Sequence, residues 1–298
     1  MVAVADLLFN RVAFIGIGLI GSSMAKRMQE ECMASEFVAC ARSYETRKKA
    51  LDLGLVSEIY DDPAKAALGA DLVVIATPVG SYSNIVKSIA SVIKSNTVIT
   101  DVGSVKQAVI DSVIPYLQFP RKFVPGHPIA GTEFSGPEAG FSELFEGRWT
   151  ILTPDINVDK DALQRITNMW ERMGSKVEMM SPGHHDMVLA ITSHLPHLIA
   201  YTIVGTATDL EEDLRREVMK YSASGFRDFT RIAASDPIMW RDIFLNNKEA
   251  TLEVLQRFSE DLTFLQKSIR RSDGKSLEEL FSRTRDVRRD VLESEDLT

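Results

Sequence analysis

Cysteine is nearly absent from the 298-residue sequence, which contains only Cys32 and Cys40. These two thiols give neither a disulfide framework nor a metal-ligand spacing, so a reducing, cytoplasmic setting is expected. Long apolar runs are missing as well. Nowhere do 18 consecutive apolar residues occur, so no membrane span is expected. The opening MVAVADLLFNR lacks the basic start and cleavage pattern of a secretory signal. Basic residues are in deficit, with a formal net charge of -8. That disfavours nucleic acid as a partner, although one local basic pocket still suits a small anionic substrate. Histidine is scarce, at five residues, and no HExxH pattern places two of them for zinc. No metal is therefore expected. What is abundant is apolar and charged residue in ordinary proportion, 45% and 26%, which suits a globular chain of one large or two ordinary domains.

The stretch VAFIGIGLIGSSMAKRM organises the rest. Val12 to Ile15 reads as a buried parallel strand, followed by Gly16, Gly18 and Gly21. In a dinucleotide-binding βα turn the first glycine makes the tight bend and the second lets a pyrophosphate approach the backbone. The third lets helix and strand pack closely. The N–H groups at Leu19 and Ile20, in the first helical turn, would then face the phosphates. An acidic residue about 20 positions further on commonly holds the ribose hydroxyls; here that place is Ala41, followed by Arg42 and Ser43. Without the carboxylate, and with Arg42 able to pair with a 2′-phosphate, NADP is favoured over NAD. The plainer alternative has Arg42 lying over the adenine ring, which suits either cofactor.

Alternation continues with strands expected at 36–41, 71–76, 97–101, 149–153 and 176–179. Helices are expected at 45–53, 61–68, 79–93, 106–117 and 159–173. Two strands end in small polar residues, Thr77-Pro78 and Val102-Gly103-Ser104, where open α/β sheets bind ligands. Residues 125–140, PGHPIAGTEFSGPEAG, are too rich in Gly and Pro for a regular element. They are read as a loop that exposes His127, Thr132 and Glu133. The first domain is placed at 1–180. Beyond it the pattern turns helical, giving a second domain at 181–298. Ser181-Pro182 starts a helix running to Gly205. A shorter charged helix is expected at 209–219, a loop at 221–236 and another helix from Pro237. Leu255, Phe258, Leu262, Leu265 and Ile269 recur at spacings of three and four, a seam that wants a facing helix. A homodimer is the expected way to cover it, a self-contained bundle the alternative. Ser276 with Glu279 reads as a capping box opening the last helix, and the charged tail after Arg285 reads as solvated or frayed.

Among chemistry-bearing residues, His127 has the side chain suited to accept a hydroxyl proton near neutrality, with Ser104 placed to orient it or the substrate. His194 and His197 share a helical face beside Ser193. Arg231 suits bidentate pairing with a carboxylate; the plain alternative is a salt bridge to Asp228 or Asp236.

With FIGIGLIGSS, ATPV, DVGSVK, GHPIAGTEFSG, HDMVLAITSHLPHLIA and SGFRDFTRIAASDPIMW, the sequence resembles the prephenate/arogenate (cyclohexadienyl) dehydrogenase family of tyrosine biosynthesis. The resemblance implies an α/β, Rossmann-type N-terminal dinucleotide-binding domain followed by an all-helical C-terminal dimerisation domain. It implies oxidative decarboxylation of prephenate or arogenate, with His127 taking the C4 hydroxyl proton and Ser104 bonding that hydroxyl or the imidazole. Arg231 and His197 are carried over as carboxylate contacts, with Ser193, His194, Thr132, Glu133 and Trp240 lining the site. Two alternatives are a β-hydroxyacid-type dehydrogenase, using Lys248, and a non-catalytic dinucleotide sensor.

Overall fold

The structure, a computed structural model, describes residues 7–209, 217, 220, 221 and 224–295. Strands β1 (Phe9–Ile15), β2 (Ala34–Cys40), β3 (Glu58–Tyr60), β4 (Leu72–Ile75), β5 (Val98–Asp101) and β6 (Phe123–Val124) form a parallel sheet. Their order is β3-β2-β1-β4-β5-β6. Helices α1 (Leu19–Glu30), α2 (Tyr44–Asp52), α3 (Pro63–Ala67), α4 (Tyr82–Ile89) and α5 (Gln107–Val113) alternate with the strands. Every residue of β4 and β5 is buried, as expected where both faces of a parallel sheet are covered. One face packs Phe14 with Met24 and with Trp170 of α6 (Lys160–Arg172); the other packs Ile75 with Tyr82 and Val86. The α/β class read from the sequence is the observed one. β3 was not anticipated: it is a three-residue edge strand, EIY, with too few apolar residues to register as a run.

The Gly/Pro stretch is not all loop. Gly126–Pro128 forms β7, which pairs antiparallel with β8 (Trp149–Leu152), and β8 pairs parallel with β9 (Lys176–Met179). β7 lies at the edge of this three-stranded sheet. There Pro128 can end a strand without depriving a neighbour of a donor. His127 therefore belongs to a strand.

Ser181 caps the next helix as expected, its side chain accepting from the His184 N–H. The helix is not one regular rod: α7 (Pro182–Leu189) passes through a π turn at Ala190–His194 into α8 (Leu195–Thr208). The cause lies just downstream. Pro196 has no N–H for the Thr192 carbonyl, and a widened turn absorbs the clash its ring would otherwise make. Residues 182–208 reach a mean hydropathy of 1.5 over an 18-residue window, long and apolar enough by composition to cross a membrane. The same helix carries His185, Asp186 and His194, all buried in its own polar network, so its apolar length does not by itself make it a span.

The charged helix expected at 209–219 lies almost wholly outside the described residues. The stretch expected as a loop at 221–236 is instead helical where described up to Ala234, with only Ser235 and Asp236 outside a helix: α9 (Ser224–Thr230) leads into a 3₁₀ turn at Arg231–Ala234. α10 (Pro237–Asn246) follows, with the Asp236 side chain accepting from the Met239 N–H. Glycine and serine in SASG suggested a loop, yet the FRDFTR run after them carries enough long side chains to stay helical.

The chain divides into compact units at Met1–Lys248 and Glu249–Thr298. The second contains α11 (Lys248–Arg270) from its second residue onward and α12 (Gly274–Glu295). On α11, Leu262 and Ile269 of the expected seam are exposed, at 48% and 66%. α12 is capped by Asp273, which accepts from the Ser276 N–H at 3.1 Å. The expected cap, Ser276, instead lies inside the first turn, and of the two expectations for the tail, solvated or frayed, the first fits: residues 285–290 are exposed while the helix continues to Glu295.

Candidate active site

The turn between β1 and α1 has the form that a dinucleotide requires. Gly16 sits at φ +103°, and a Cβ there would lie 2.4 Å from the Ala76 carbonyl oxygen. A Cβ on Gly21 would lie 2.5 Å from the Gly16 carbonyl oxygen, so any side chain would force helix from strand. Gly18 is different: a Cβ there meets nothing within 4 Å, and no side chain caps α1. The result is an open cradle of backbone N–H groups at Leu19 and Ile20, suited to a pyrophosphate. It lies where neighbouring β1 and β4 send their connections in opposite directions, the usual ligand crevice of such sheets. Thr77 and Pro78 end β4 at this crevice, with Thr77 Oγ1 2.8 Å from Ser81 Oγ. At the end of β2, Arg42 is exposed and Ser43 caps α2 through the Thr46 N–H. Arg47 braces the same turn, its guanidinium donating to the carbonyls of Ala41 and Arg42 at 2.8 and 2.7 Å.

His127 was expected to be exposed on a loop; in the structure it is only 8% exposed. Its Nδ1 lies 2.8 Å from Nε2 of His185, whose Nδ1 lies 2.8 Å from Oδ1 of Asp186. The Asp186 carboxylate also accepts from the backbone N–H groups of Lys106 and Gln107 at 2.8 and 2.9 Å. Burial alone would raise the Asp186 carboxyl, but the His185 and backbone hydrogen bonds hold it below its ordinary value. An ionised carboxylate only accepts, so His185 must donate from Nδ1 and accept at Nε2. His127 then donates from Nδ1, which leaves its Nε2 as the basic nitrogen. Burial, with the charges of His185, Lys106 and His194, pushes His127 well below its usual value, so it is neutral at neutral pH, with the Nε2 lone pair free.

Beneath this row lies a fully buried ion pair. Lys106 Nζ donates at 2.6 Å to both Asp101 Oδ2 and the Gly126 carbonyl. Asp101 in turn accepts from the N–H groups of Gly103 and Gly126 and from the Tyr82 hydroxyl. The pair thus ties the end of β5 to the residue before His127. Ser104 lies half-buried just beyond β5; among the described residues no hydrogen bond joins it to His127, whose ring partner is His185.

A second cluster adjoins the first. His197 stacks on Trp240 with ring centroids 3.6 Å apart, and its Nδ1 bonds the Ser193 carbonyl oxygen at 2.9 Å. His194 meets Trp240 edge-on at 6.0 Å. The Asn247 amide donates to the Asp186 carbonyl at 2.8 Å and contacts His194 Nδ1 at 3.1 Å, which places the His194 proton on Nε2. That nitrogen and Trp240 Nε1 are buried donors with no partner among the described residues, as at sites that receive a polar ligand. Burial lowers His194 to about 4. Burial and the nearby Arg231 charge lower His197 too. Arg231 does not pair with Asp228 or Asp236 as the plain alternative held: its guanidinium reaches Glu133 Oε2 at 3.3 Å, and its side chain is 61% exposed. Thr132, beside Glu133, is exposed and accepts from the Phe134 N–H.

Of the residues expected from sequence, the structure thus brings Arg231 to Glu133, and His194 and His197 to Trp240. His185, Asp186, Lys106 and Asn247 were missed. The adjacent His185-Asp186 carried a signal, because a carboxylate beside an imidazole suggests an oriented histidine, but its partner lay 58 residues away. Among the described residues no group of three or more His, Cys, Asp or Glu is placed to hold a metal.

A dinucleotide cradle at the sheet's switch point and a buried neutral histidine linked through a second histidine to a carboxylate define an NAD(P)-dependent dehydrogenase. Comparison with known proteins agrees. Residues 24–179 match the prephenate dehydrogenase nucleotide-binding domain and residues 181–283 the prephenate dehydrogenase dimerization domain. The chain belongs to the prephenate dehydrogenase family. It is 41% identical to a cyclohexadienyl dehydrogenase of Zymomonas mobilis over 280 residues, covering 94% of this chain and 95% of that protein. The fold is similar to prephenate dehydrogenase from Aquifex aeolicus, solved with hydroxyphenyl propionate and NAD+. There the TM-score is 0.90 at 36% identity, with 96% and 99% of the two chains covered. Synechocystis arogenate dehydrogenase gives a TM-score of 0.78 at 25% identity, covering 94% and 99%.

Proposed function

We propose that the chain oxidatively decarboxylates a cyclohexadienyl substrate, prephenate, arogenate or both, in tyrosine biosynthesis. Residues 1–180 bind the dinucleotide; residues 181–298 bind substrate and form a homodimer in the cytoplasm. The observation that carries this reading is the contact between two clusters within one compact unit. A neutral base, His127, is linked through His185, Asp186 and Asn247 to His194, which shares Trp240 with His197.

In this reading the substrate's C4 hydroxyl gives its proton to His127 Nε2, with Ser104 holding the hydroxyl oxygen. The dinucleotide, whose pyrophosphate the Gly16–Gly21 turn would hold, would supply the hydride acceptor. Oxidation at C4 leaves a dienone; the ring carboxylate then departs as CO₂, and its bonding electrons complete the aromatic ring. Arg231, released from Glu133, pairs with the side-chain carboxylate, assisted by His197 and the His194 Nε2 donor. Ser193, Thr132, Glu133 and Trp240 shape the pocket. The apolar seam of α11 and the apolar flank of residues 182–208, whose window is only 22% buried, support the dimer.

A two-by-two assay of prephenate and arogenate against NAD and NADP tests the proposal. One CO₂ should appear per reduced cofactor; reduction without CO₂ would end it. Arg231→Ala should raise KM about 10-fold or more, the scale of a lost charge-assisted hydrogen bond, while kcat moves less. An unchanged KM in steady-state kinetics counts against the pairing. For the cofactor we favour NADP, supported by Arg42 and by the Arg47-braced turn. Arg42→Ala should weaken NADP about 10-fold more than NAD in fluorescence titration, whereas equal losses leave only stacking on the adenine.

A further inference from the structure

His127 is poorly placed to keep a proton. It lies on β7, almost wholly buried, with the cationic Lys106 and the imidazoles of His185 and His194 close enough to act on it. No carboxylate contacts its ring among the described residues. His185 is placed differently. It is fully buried, but its far nitrogen is hydrogen-bonded to Asp186, and Asp101 adds a further favourable field against that of Lys106. Of two imidazoles 2.8 Å apart, the one carrying the ion-pair partner is the better resting place for a positive charge.

We propose that His185 is the second member of a proton relay, accepting at Nε2 the Nδ1 proton of His127 as His127 Nε2 takes the substrate hydroxyl proton. The bonds balance. One O–H breaks and one N–H forms at His127 Nε2; one N–H breaks at His127 Nδ1 and one forms at His185 Nε2. His127 ends neutral, with its proton on the opposite nitrogen, and His185 ends as an imidazolium held by Asp186. The proposal rests on the dehydrogenase reading of the site, because that reaction supplies the proton. Asp186 is then a positioning residue. Its two backbone hydrogen bonds from Lys106 and Gln107 fix the carboxylate that fixes the His185 ring. The groups that face the pair are Asp186 on its own helix, His194 at the end of the π turn, Asp101 at the end of β5 and Lys106 just before α5.

The test is His185→Gln, because glutamine accepts from His127 Nδ1 and donates to Asp186 but takes no proton. In the wild type, turnover of prephenate or arogenate first establishes the reaction itself; its absence is a failure of the functional reading and not of the relay. With turnover present, the relay predicts that kcat of His185→Gln falls about 10-fold or more, within the range of general acid–base effects, with KM within about twofold. The acid limb of the kcat/KM profile should move to lower pH, since the better proton site is gone, and the solvent-deuterium proton inventory should change from curved to linear. A purely orienting His185 would leave all three unmoved, and that result overturns the proposal. If the variant does not fold, as judged by melting and dinucleotide binding, ¹⁵N NMR of the wild type decides. Both His127 and His185 must carry hydrogen on Nδ1 and a lone pair on Nε2, and the reverse tautomer at either ring overturns the relay.

Discussion

Asparagine in place of His127 should leave a folded protein that binds dinucleotide normally and turns over at least about 10²-fold more slowly, the scale of a lost general base. The expectation follows from the hydrogen-bond row. The ring's Nδ1 is committed to His185, so Nε2 is the nitrogen with a lone pair, and an amide offers no equivalent base. Asparagine nonetheless fits the strand position, where the backbone pairs with Ile151 of β8, so loss of fold is not the expected cause of the defect. Steady-state kinetics alongside cofactor titration separates the two effects. Unchanged kcat would remove His127 as the proton acceptor.

The second large effect concerns stability. Lys106→Met removes a cation that is 0% exposed and leaves Asp101, also 0% exposed, without its ion partner. Breaking one side of a buried pair costs about 3–5 kcal/mol. The value here should lie toward the lower end, because Asp101 keeps hydrogen bonds from Gly103, Gly126 and Tyr82. Urea unfolding should show a lowered midpoint with an unchanged slope. Adding Asp101→Asn to Lys106→Met should recover part of the loss, since the stranded charge is then gone. A single variant as stable as the wild type would mean that the pair contributes nothing net.

The sheet was legible because β1, β4 and β5 are short apolar runs that end in glycine or small polar residues, and because Gly16, Gly18 and Gly21 have distinct steric tasks. Less legible was any element whose stability comes from its partner. β7 is three residues of Gly, His and Pro, a strand only because β8 lies beside it. The helix around Arg227 was hidden by the preceding SASG. Arg231, His194 and His197 stood out as candidates in the sequence because they are unusual residue types in an apolar context, and the structure brings the two histidines to Trp240. The base's supporters were not. Lys106 looks like an ordinary helix-start lysine, and its burial depends on Asp101 and Gly126 meeting it in three dimensions. Likewise His185 and His127 are joined by folding and not by sequence spacing. The π turn had a local cause in Pro196, but nothing in composition fixes how a helix absorbs a proline.

The two ends of the proposed site differ in stiffness. His127, His185 and Asp186 are between 0% and 8% exposed and are cross-braced by backbone amides, whereas Arg231 reaches Glu133 from a side chain 61% exposed. In the proposed reading a ring hydroxyl meets an unyielding anvil, while the remote tail of the substrate is gripped by a guanidinium with room to swing. On that reading, cyclohexadienyl acids that differ only in that tail, one bearing a keto group and one an ammonium, would be accommodated by re-aiming a single surface arginine while the deprotonation geometry stays as it is.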